Sequence, residues 1–347
     1  MNLKALSEHL GLSQTTVSRA LNGYPEVSLR TRQRVADAAQ NLGYRPNHAA
    51  RGLATGKAGA IAVVMRMAAG QAADPHYGEF LSGVGEAALS LGYDILLSPV
   101  TRETEEATFR RLAQSGQVDG ILLSSPFLSD ARIKLLDEIS IPYMVHGRDN
   151  ERARPYPFLD IDNKGAFYEA ARLLVGLGHR KIGFINGLAN LNFANDRALG
   201  VIEALAENGH KIDPALISNG EMTDEYGYRQ TAKMLDGQNA PTAILCSSLF
   251  IALGAVRAVY DRGLKIGSDV SLLAHDDVIP YLKPENFRVP LATTRSSIRA
   301  AGLRAMQRLV NGIDAPSTDG EVWPVDLIVR ESIGPAPAMQ SDLKIKR

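Results

Sequence analysis

Cysteine and long apolar runs are scarce in this sequence. Cys246 is the single cysteine among 347 residues, which excludes an internal disulfide and fits a reducing compartment. No apolar run approaches the roughly 18 residues of a membrane-spanning helix, and the N-terminus lacks the basic-then-apolar pattern of a secretory signal. The sequence therefore predicts a soluble, cytoplasmic protein.

The motifs of common enzymes and cofactor sites are also missing. There is no P-loop and no G-x-S-x-G elbow, and the seven histidines include no pair four residues apart and no Cys/His cluster. The stretch GVGEAA, with Gly83, Gly85 and Ala88, loosely matches a dinucleotide-binding pattern. It lies inside a helical apolar segment, whereas that motif needs its glycines at a strand-to-helix turn, so we interpret it as helix packing. The sequence predicts neither a cofactor nor a protein-built metal site.

Two pairs of acids leave an enzymatic alternative open. Asp160 and Asp162 in FLDIDN would share one face of a strand, as in a glycosidase dyad, and Asp276 and Asp277 are adjacent in AHDDV. Isolated acids at strand ends more often cap helices or bind ligand hydroxyls. We therefore do not predict an enzyme.

The net charge of zero hides an uneven distribution. Residues 1–57 hold eight Lys or Arg against three acids, a net of +5, so the rest of the chain holds 30 bases against 35 acids, a net of −5. A small basic head on an acidic body favours a polyanionic partner for the head alone.

Residues 1–45 have the pattern of three short helices that share a small core. Gly11 ends the first helix, Ser13 can cap the second and Ser28 can cap the third. Two helices joined by a tight glycine-containing turn, with a third helix closing the core, form a helix-turn-helix unit. Residues 46–58 are mostly small or polar, which is typical of a hinge. The expected core positions are Leu3, Leu6, Leu10, Val17, Leu21, Val35, Ala38, Ala39 and Leu42.

From residue 59 to residue 333, short apolar runs alternate with segments of helical periodicity. This alternation predicts parallel sheets, and its two blocks predict two doubly wound α/β lobes. We expect the first lobe at about 59–160 and 291–320, and the second at about 161–290 and 321–333. The tail, 334–347, has no leucine heptads, so a tetramerising coiled coil is not expected. The expected strands lie at 60–65, 93–99, 118–125, 141–147, 180–187, 242–248 and 269–277, with later strands in LATTR and EVWPVDLIVRES.

Polar and aromatic residues follow the predicted strands at their carboxyl ends, where open α/β sheets bind ligands. Aromatic faces can cover the apolar side of a polyhydroxylated molecule, while Arg and Asp bind its hydroxyls. The set predicts a cleft for a small ligand of that kind. Its members are His76, Tyr77, Ser124, Ser125, His146, Arg148, Asn186, Ser247, Ser248 and Asp276.

The order of these parts resembles the lactose-repressor (LacI/GalR) family of bacterial transcription regulators along essentially the whole chain. LKALSEHLGLSQTTVSRALNG is similar to the DNA-binding signature of the family, and VSLRTRQRVADAAQNLGYRPNHAARGLATGK to its third helix and hinge. The body matches through DPHYGEFLSGVGEAALSLGYDILL, VDGILLSS, GHRKIGFING, DRALGVIEAL, YGYRQTAKML and PLATTRSSIRAAG. The resemblance implies a periplasmic-binding-protein-like core behind the helix-turn-helix head.

The resemblance also implies which residues contact operator DNA. In the family, the second helix of the head enters the major groove. This places base contacts on Gln14, Thr15 and Arg19. In the hinge, Leu53 matches the leucine that opens the minor groove, although packing on the body is the alternative for this side chain. Phosphate contacts and supporting positions are assigned to Ser13, Thr16, Ser18, Asn22, Asn47 and Ala50.

The effector residues implied by the resemblance are compatible with two classes of ligand. One is a sugar or glycoside, which we prefer, and the other is a purine or nucleoside. Ser248 and Met222 depart from the Asn and the aromatic residue of many relatives. The expected mechanism is a homodimer on a palindromic operator, switched by ligand-driven lobe closure. A sugar-binding protein without DNA function remains a further alternative, which the basic head disfavours. The full effector set is His76, Tyr77, Ser124, Arg148, Asp162, Asn186, Arg197, Met222, Ser248 and Asp276.

Overall fold

The computed structural model describes residues 2–21, 23–44, 56–66, 75–151 and 154–337. These residues belong to two compact units, Met1–Gly59 and Ala60–Arg347. No helix within the described ranges is both long enough and apolar enough to cross a membrane.

The first unit is called the head below, and its described residues form three helices around one small core. The predicted helix boundaries are confirmed, because Gly11 ends the first helix in a left-handed conformation (φ 63°). Ser13 Oγ accepts the Thr16 amide at 3.1 Å, and Ser28 Oγ accepts the Thr31 amide at 3.2 Å. These hydroxyls satisfy amide groups that a helix start leaves without partners. The helices are α1 (Leu3–Leu10), α2 (Gln14–Leu21) and α3 (Leu29–Asn41).

The second unit contains two six-stranded sheets, each flanked by helices. The first sheet has the order β11-β5-β4-β3-β1-β2, from β1 (Ala60–Arg66), β2 (Asp94–Val100), β3 (Gly120–Ser124), β4 (Tyr143–His146), β5 (Phe158–Ile161) and β11 (Gly320–Trp323). The second has the order β12-β10-β9-β8-β6-β7, from β6 (Ile182–Asn186), β7 (Ile217–Asn219), β8 (Ala243–Cys246), β9 (Ser271–Asp276), β10 (Ala292–Arg295) and β12 (Asp326–Ile328).

Each sheet and the helices packed on it form one lobe. Every strand pair is parallel except β10 with β12, so almost all carboxyl ends within one sheet lie at one edge. The helices of the first lobe are α4 (Pro75–Leu91), α5 (Glu105–Ser115), α6 (Ala131–Glu138) and α11 (Ile298–Gly312). Those of the second lobe are α7 (Asn163–Gly176), α8 (Asn192–Glu207), α9 (Asp224–Leu235) and α10 (Leu249–Asp261).

The lobe boundaries differ from the expected ones at three points. Strand β10 pairs with β9 in the second sheet, although residues 291–320 were expected in the first lobe. Strand β11 pairs with β5 in the first sheet, although residues from 321 onward were expected in the second. Ala336, expected in the tail, is buried and donates its amide to Leu177 O. An apolar strand has the same sequence pattern whichever sheet it joins, so only its hydrogen-bonding neighbours decide its lobe.

The GVGEAA stretch lies in the middle of α4, as the helix-packing interpretation predicted. A Cβ atom at Gly83 would lie 1.9 Å from the carbonyl oxygen of Arg299, so this glycine is needed for close contact with α11. At Gly85 nothing lies within 4 Å of the same position.

Candidate effector cleft and DNA-reading helix

Side chains from the two lobes meet along the carboxyl edges of the sheets, in what we call the cleft. Arg148, just after β4, has its Nε 3.1 Å from Asp160 Oδ2 in β5 and its Nη2 3.7 Å from Asp196 Oδ2 in α8 of the other lobe. Asn150 Nδ2 donates to Asp196 Oδ1 at 2.6 Å. Asp196 therefore accepts a hydrogen bond from Asn150 and forms an ion pair with Arg148, so the lobes are in direct polar contact here.

Asp160 is a buried carboxyl group, 5% exposed, at the centre of this cluster. Its Oδ1 accepts the Ile161 amide at 2.8 Å and the Asn163 side-chain amide at 3.2 Å. Burial raises the pKa of Asp160 to about 7, although Arg148 favours the charged form. The group is therefore poised to change its charge near neutral pH.

Arg197 is fixed in the second lobe by two hydrogen bonds and two aromatic rings. Its Nε donates to Asn163 Oδ1 at 2.8 Å, and its Nη1 donates to Ser247 O at 2.7 Å. The guanidinium carbon lies 5.0 Å from the ring centroid of Phe167 and 4.9 Å from that of Phe193. Burial lowers the pKa of Arg197 to about 10, so it remains charged at neutral pH.

A second cross-lobe contact joins His76 of α4 to Asp277, which follows β9. His76 Nε2 lies 3.3 Å from Asp277 Oδ1, and His275 Nε2 lies at the same distance from that oxygen. Burial disfavours the charged carboxylate, but the two facing imidazoles hold the pKa of Asp277 well below its ordinary value.

Aromatic rings form an uncharged wall on the first lobe. The Tyr77 and Phe80 centroids are 6.3 Å apart, and the Phe80 and His146 rings stack at 4.6 Å. Burial lowers the pKa of His146 to about 3, so its imidazole is neutral at neutral pH. Burial also raises the pKa of Tyr77, whose hydroxyl has no hydrogen-bond partner among the described residues.

Several predicted effector residues have structural partners within the protein. Asp162 Oδ1 caps α7 through the Gly165 amide at 2.9 Å, and Ser248 Oγ caps α10 through the Ile251 amide at 3.2 Å. Asn186 Nδ2 donates to Ala194 O at 2.8 Å. Met222 packs against the hydrophobic core of the second lobe. Ser124 ends β3 and is half-buried.

Asp276, predicted in the same site as Arg197, has its own set of partners. Its Oδ1 accepts the Val278 amide at 2.8 Å, and its Oδ2 lies 3.5 Å from Arg295 Nε. It lines a cavity of about 300 Å³ in the second lobe, together with residues of the loop that follows β9. Burial raises the pKa of Asp276. The neighbouring Asp277, and not Asp276, contacts His76 across the cleft.

Sequence reasoning missed five residues of the cleft or gave them another role. Asp160 was considered only as half of an acid pair, and Asp277 only as the neighbour of Asp276. All five are polar residues near the carboxyl end of a strand or near the start of the next helix. They are Asn150, Asp160, Asn163, Asp196 and Asp277. Within the described ranges no group of three His, Cys, Asp or Glu is arranged to hold a metal ion.

Helix α2 of the head separates a buried face from an exposed polar face. Val17 is fully buried, as its predicted core role requires. Gln14, Thr15 and Arg19 are exposed, so their side chains are accessible to a DNA groove. Ser13 and Thr16 join their hydroxyls at 2.8 Å at the start of the helix, and Ser18 is half-buried. Asn22, Asn47, Ala50 and Leu53 lie outside the described residues.

Comparison with known proteins agrees with both units. Residues 4–47 match the bacterial regulatory proteins of the lacI family, and residues 171–333 match the periplasmic binding protein-like domain. The HTH-type transcriptional regulator AglR of Rhizobium meliloti (strain 1021) is 55% identical over 341 residues, 97% of this chain and 95% of AglR. The chain belongs to the LacI family.

Two solved structures of the LacI family share the fold. The lac repressor dimer bound to operator and the anti-inducer ONPF is 25% identical with a TM-score of 0.83, covering 96% of this chain and 99% of that one. The complex of the transcriptional regulator CelR with cellobiose is 28% identical with a TM-score of 0.70, at the same coverage. The protein is thus a helix-turn-helix transcription regulator with a periplasmic-binding-protein-like core.

Proposed function

We propose that this LacI-family regulator is a cytoplasmic repressor that binds a palindromic operator as a homodimer, and that a neutral sugar or glycoside in the cleft controls this binding. The observation that carries the proposal is the polar cluster of Arg148, Asp160, Asp196 and Arg197, which joins both lobes. The proposal gives the cleft a binding role and no catalytic step.

The charge balance of the cleft favours an uncharged ligand. Arg148 and Arg197 face three carboxyl groups, those of Asp160, Asp196 and Asp277. Both guanidinium groups already contact protein oxygen atoms, so a phosphate group would have to compete with the neighbouring carboxyl groups for these cations. Hydroxyl groups both donate and accept hydrogen bonds, and they suit such a mixture of carboxylate, amide and guanidinium partners.

Two buried polar atoms of the cleft remain available to a ligand. Tyr77 Oη has no hydrogen-bond partner among the described residues. Arg148 Nε lies near Asp160 but is not aligned for a hydrogen bond. Because a buried donor without a partner costs free energy, an acceptor oxygen on the ligand would stabilise the closed cleft at both positions. CelR, which has been solved with cellobiose, supports the sugar class for this chain.

In the head, we assign base contacts to Gln14, Thr15 and Arg19. Their exposure on one face of α2 supports this assignment, since Gln suits adenine and Arg suits guanine in the major groove. Phosphate contacts are assigned to Ser13, Thr16 and Ser18. The operator complex of the lac repressor supports a dimer on DNA. Asn22 and the hinge residues Asn47, Ala50 and Leu53 keep their proposed DNA roles.

Lobe closure is the proposed switch. A ligand that bridges Arg148 of the first lobe and Arg197 of the second favours the closed arrangement by its differential affinity for it. By linkage, operator DNA and effector must change each other's affinity by the same factor.

The test is a thermal-shift screen of the purified full chain against maltose, cellobiose, sucrose, adenosine, cytidine and hypoxanthine. A ligand at 100 times its Kd adds about 2.7 kcal/mol to the free energy of unfolding. We expect a shift with one sugar that is lost in Arg197→Ala. Arg257→Ala is the matched control, because Arg257 is an exposed arginine paired with Asp224 on the surface.

Each alternative result of the screen has a definite meaning. A shift only with a nucleoside or hypoxanthine overturns the sugar class and leaves the regulator intact. A sugar shift that persists in Arg197→Ala overturns the assignment of this arginine. If a sugar 6-phosphate binds while its parent sugar does not, the conclusion that the ligand is neutral is wrong.

A further inference from the structure

A short backbone contact crosses the cleft beside the polar cluster, to which it is joined through the Asn192 side chain. The Leu128 amide donates to Asn190 O at 3.1 Å, and the Asn192 amide donates to Pro126 O at 3.1 Å. Phe127 and Leu191 form the antiparallel bridge between these two bonds. We call residues 126–128 and 190–192 together the strap.

The strap lies away from the connections that join the lobes covalently. The chain passes between the sheets after β5, after β10 and after β11. In the sheet orders these strands occupy the β11-β5 edge of the first sheet and the β12-β10 edge of the second. The strap follows β3 and β6, which are interior strands nearer the opposite edges. Opening the cleft about the connections must therefore break the two strap hydrogen bonds.

The ring of Phe127 is held by two arginines of the first lobe. The guanidinium carbon of Arg66 lies 4.6 Å from the ring centroid, and that of Arg132 lies 4.8 Å from it. Glu105, 5% exposed, contacts both arginines: Arg66 Nε donates to it at 3.0 Å, and Arg132 Nη1 forms an ion pair with it at 3.6 Å. The two cations thus lie over the ring in a half-buried arrangement, paired with the buried Glu105.

The backbone beside the ring is fixed by the same groups. The Phe127 amide donates to Asp130 Oδ2 at 2.9 Å, and Arg132 Nη2 donates to Ser125 O at 3.2 Å. Arg132 also pairs with Asp130 at 2.6 Å. The first-lobe half of the strap is therefore shaped before it meets the second lobe.

We propose that Phe127, clamped by Arg66 and Arg132, is a positioning residue that holds the strap together and so sets the closed population of the cleft without contacting the effector. The clamp orients the carbonyl of Pro126 and the amide of Leu128 for their partners in the second lobe. Loss of the aromatic ring frees this segment, breaks the strap and shifts the lobes toward the open arrangement.

The experiment is hydrogen–deuterium exchange of the ligand-free full chain, read by mass spectrometry in peptides that contain the Leu128 and Asn192 amides. Phe127→Leu removes the aromatic face and keeps an apolar side chain. We expect exchange to become about fivefold faster in both peptides, as the loss of stacked cation contacts would produce. Phe127→Tyr keeps the ring and restores the rate of the parent chain. Arg66→Met removes one of the two cations and should give a smaller increase in the exchange rate. It replaces Phe127→Leu in the test if that variant does not fold.

Three results would overturn the proposal. The first is an unchanged rate at Asn192 in Phe127→Leu and in Arg66→Met. The second is a Tyr variant that behaves like the Leu variant. The third is equal acceleration in β9, because this would indicate a general loss of stability and no positioning role. Since neither effector nor operator is used, the result does not depend on the proposed function.

Discussion

Asp160 is a carboxyl group that loses most of its hydration on folding. Burial raises its pKa to about 7 from an ordinary value of 3.8, so the native protein holds a proton that the unfolded chain releases above about pH 4. The free energy of unfolding therefore falls as the pH rises from about 4 to about 7, by up to roughly 1.4 kcal/mol per pH unit.

We predict that Asp160→Asn removes this loss of stability. The amide oxygen can still accept from the Ile161 amide, and the side chain carries no charge at any pH. The gain over the parent chain should grow between about pH 4 and 7 and reach a few kcal/mol. Urea denaturation at several pH values, followed by circular dichroism, measures it. His146, whose pKa burial lowers to about 3, gives the opposite slope in both proteins and cancels in the difference. If the free energies of unfolding of the two proteins change with pH in parallel, Asp160 is not a buried neutral group.

At the residue scale in the head, we predict that Arg19→Ala weakens specific operator binding by about 1–3 kcal/mol and relaxes the preference at one base position. The reason is the loss of a side chain exposed on the face of α2 that we propose reads the bases. Operator selection from a random DNA library, followed by titration, gives both quantities. Lys211→Ala, an exposed change in the second lobe, is the control. An unchanged base preference removes Arg19 from the reading set.

At the scale of elements, helices α4 and α11 approach each other through glycines. A Cβ atom at Gly83 would meet Arg299 O, and one at Gly302 would lie 2.2 Å from Phe80 O. Gly85, two positions away in the same helix, has open space around it. The two glycines of one motif therefore have different physical roles.

We predict that Gly83→Ala destabilises the first lobe by about 1–3 kcal/mol, because the helices must move apart. Gly85→Ala should instead stabilise it by about 0.5–1 kcal/mol, since alanine restricts the unfolded chain and favours a helix. Thermal unfolding of the two variants against the parent chain tests the pair. Equal effects of the two substitutions would contradict the packing role of Gly83.

At the scale of the molecule, the head and the second unit have separate hydrophobic cores. The buried residues of the head core fall in the sequence from Leu6 to Ala39. None of them belongs to the core clusters of the second unit. We predict that a chain beginning at Ala60 keeps the effector-induced thermal shift and loses operator binding. Calorimetry and DNA titration measure the two properties. A fragment that fails to fold would show that the second unit needs the head.

Much of the fold was predictable because its determinants are local. Ser13 and Ser28 cap helices through amides three residues away, and Val17 faces a core set by helical periodicity. The cleft was predictable only in part. Arg148 and Arg197, both predicted, are joined through Asp160 and Asn163, which were not predicted as ligand residues, and Asp277 instead of Asp276 contacts His76. Adjacent residues in an extended segment point to opposite sides, and the sequence does not determine which of them faces the cleft.

The sequence alone determined the two-unit plan, the charge difference between head and body, and the family resemblance. These properties depend on composition, on periodicity and on motifs of neighbouring residues. Tertiary structure decided which sheet receives β10 and β11, that Asp196 accepts a hydrogen bond from the opposite lobe, and that Phe127 lies under two guanidinium groups. Asn150 and Asp196, or Arg66 and Phe127, are tens of residues apart in the chain. Their contacts depend on how the lobes close and on hydrogen bonds between distant strands, which no local pattern encodes.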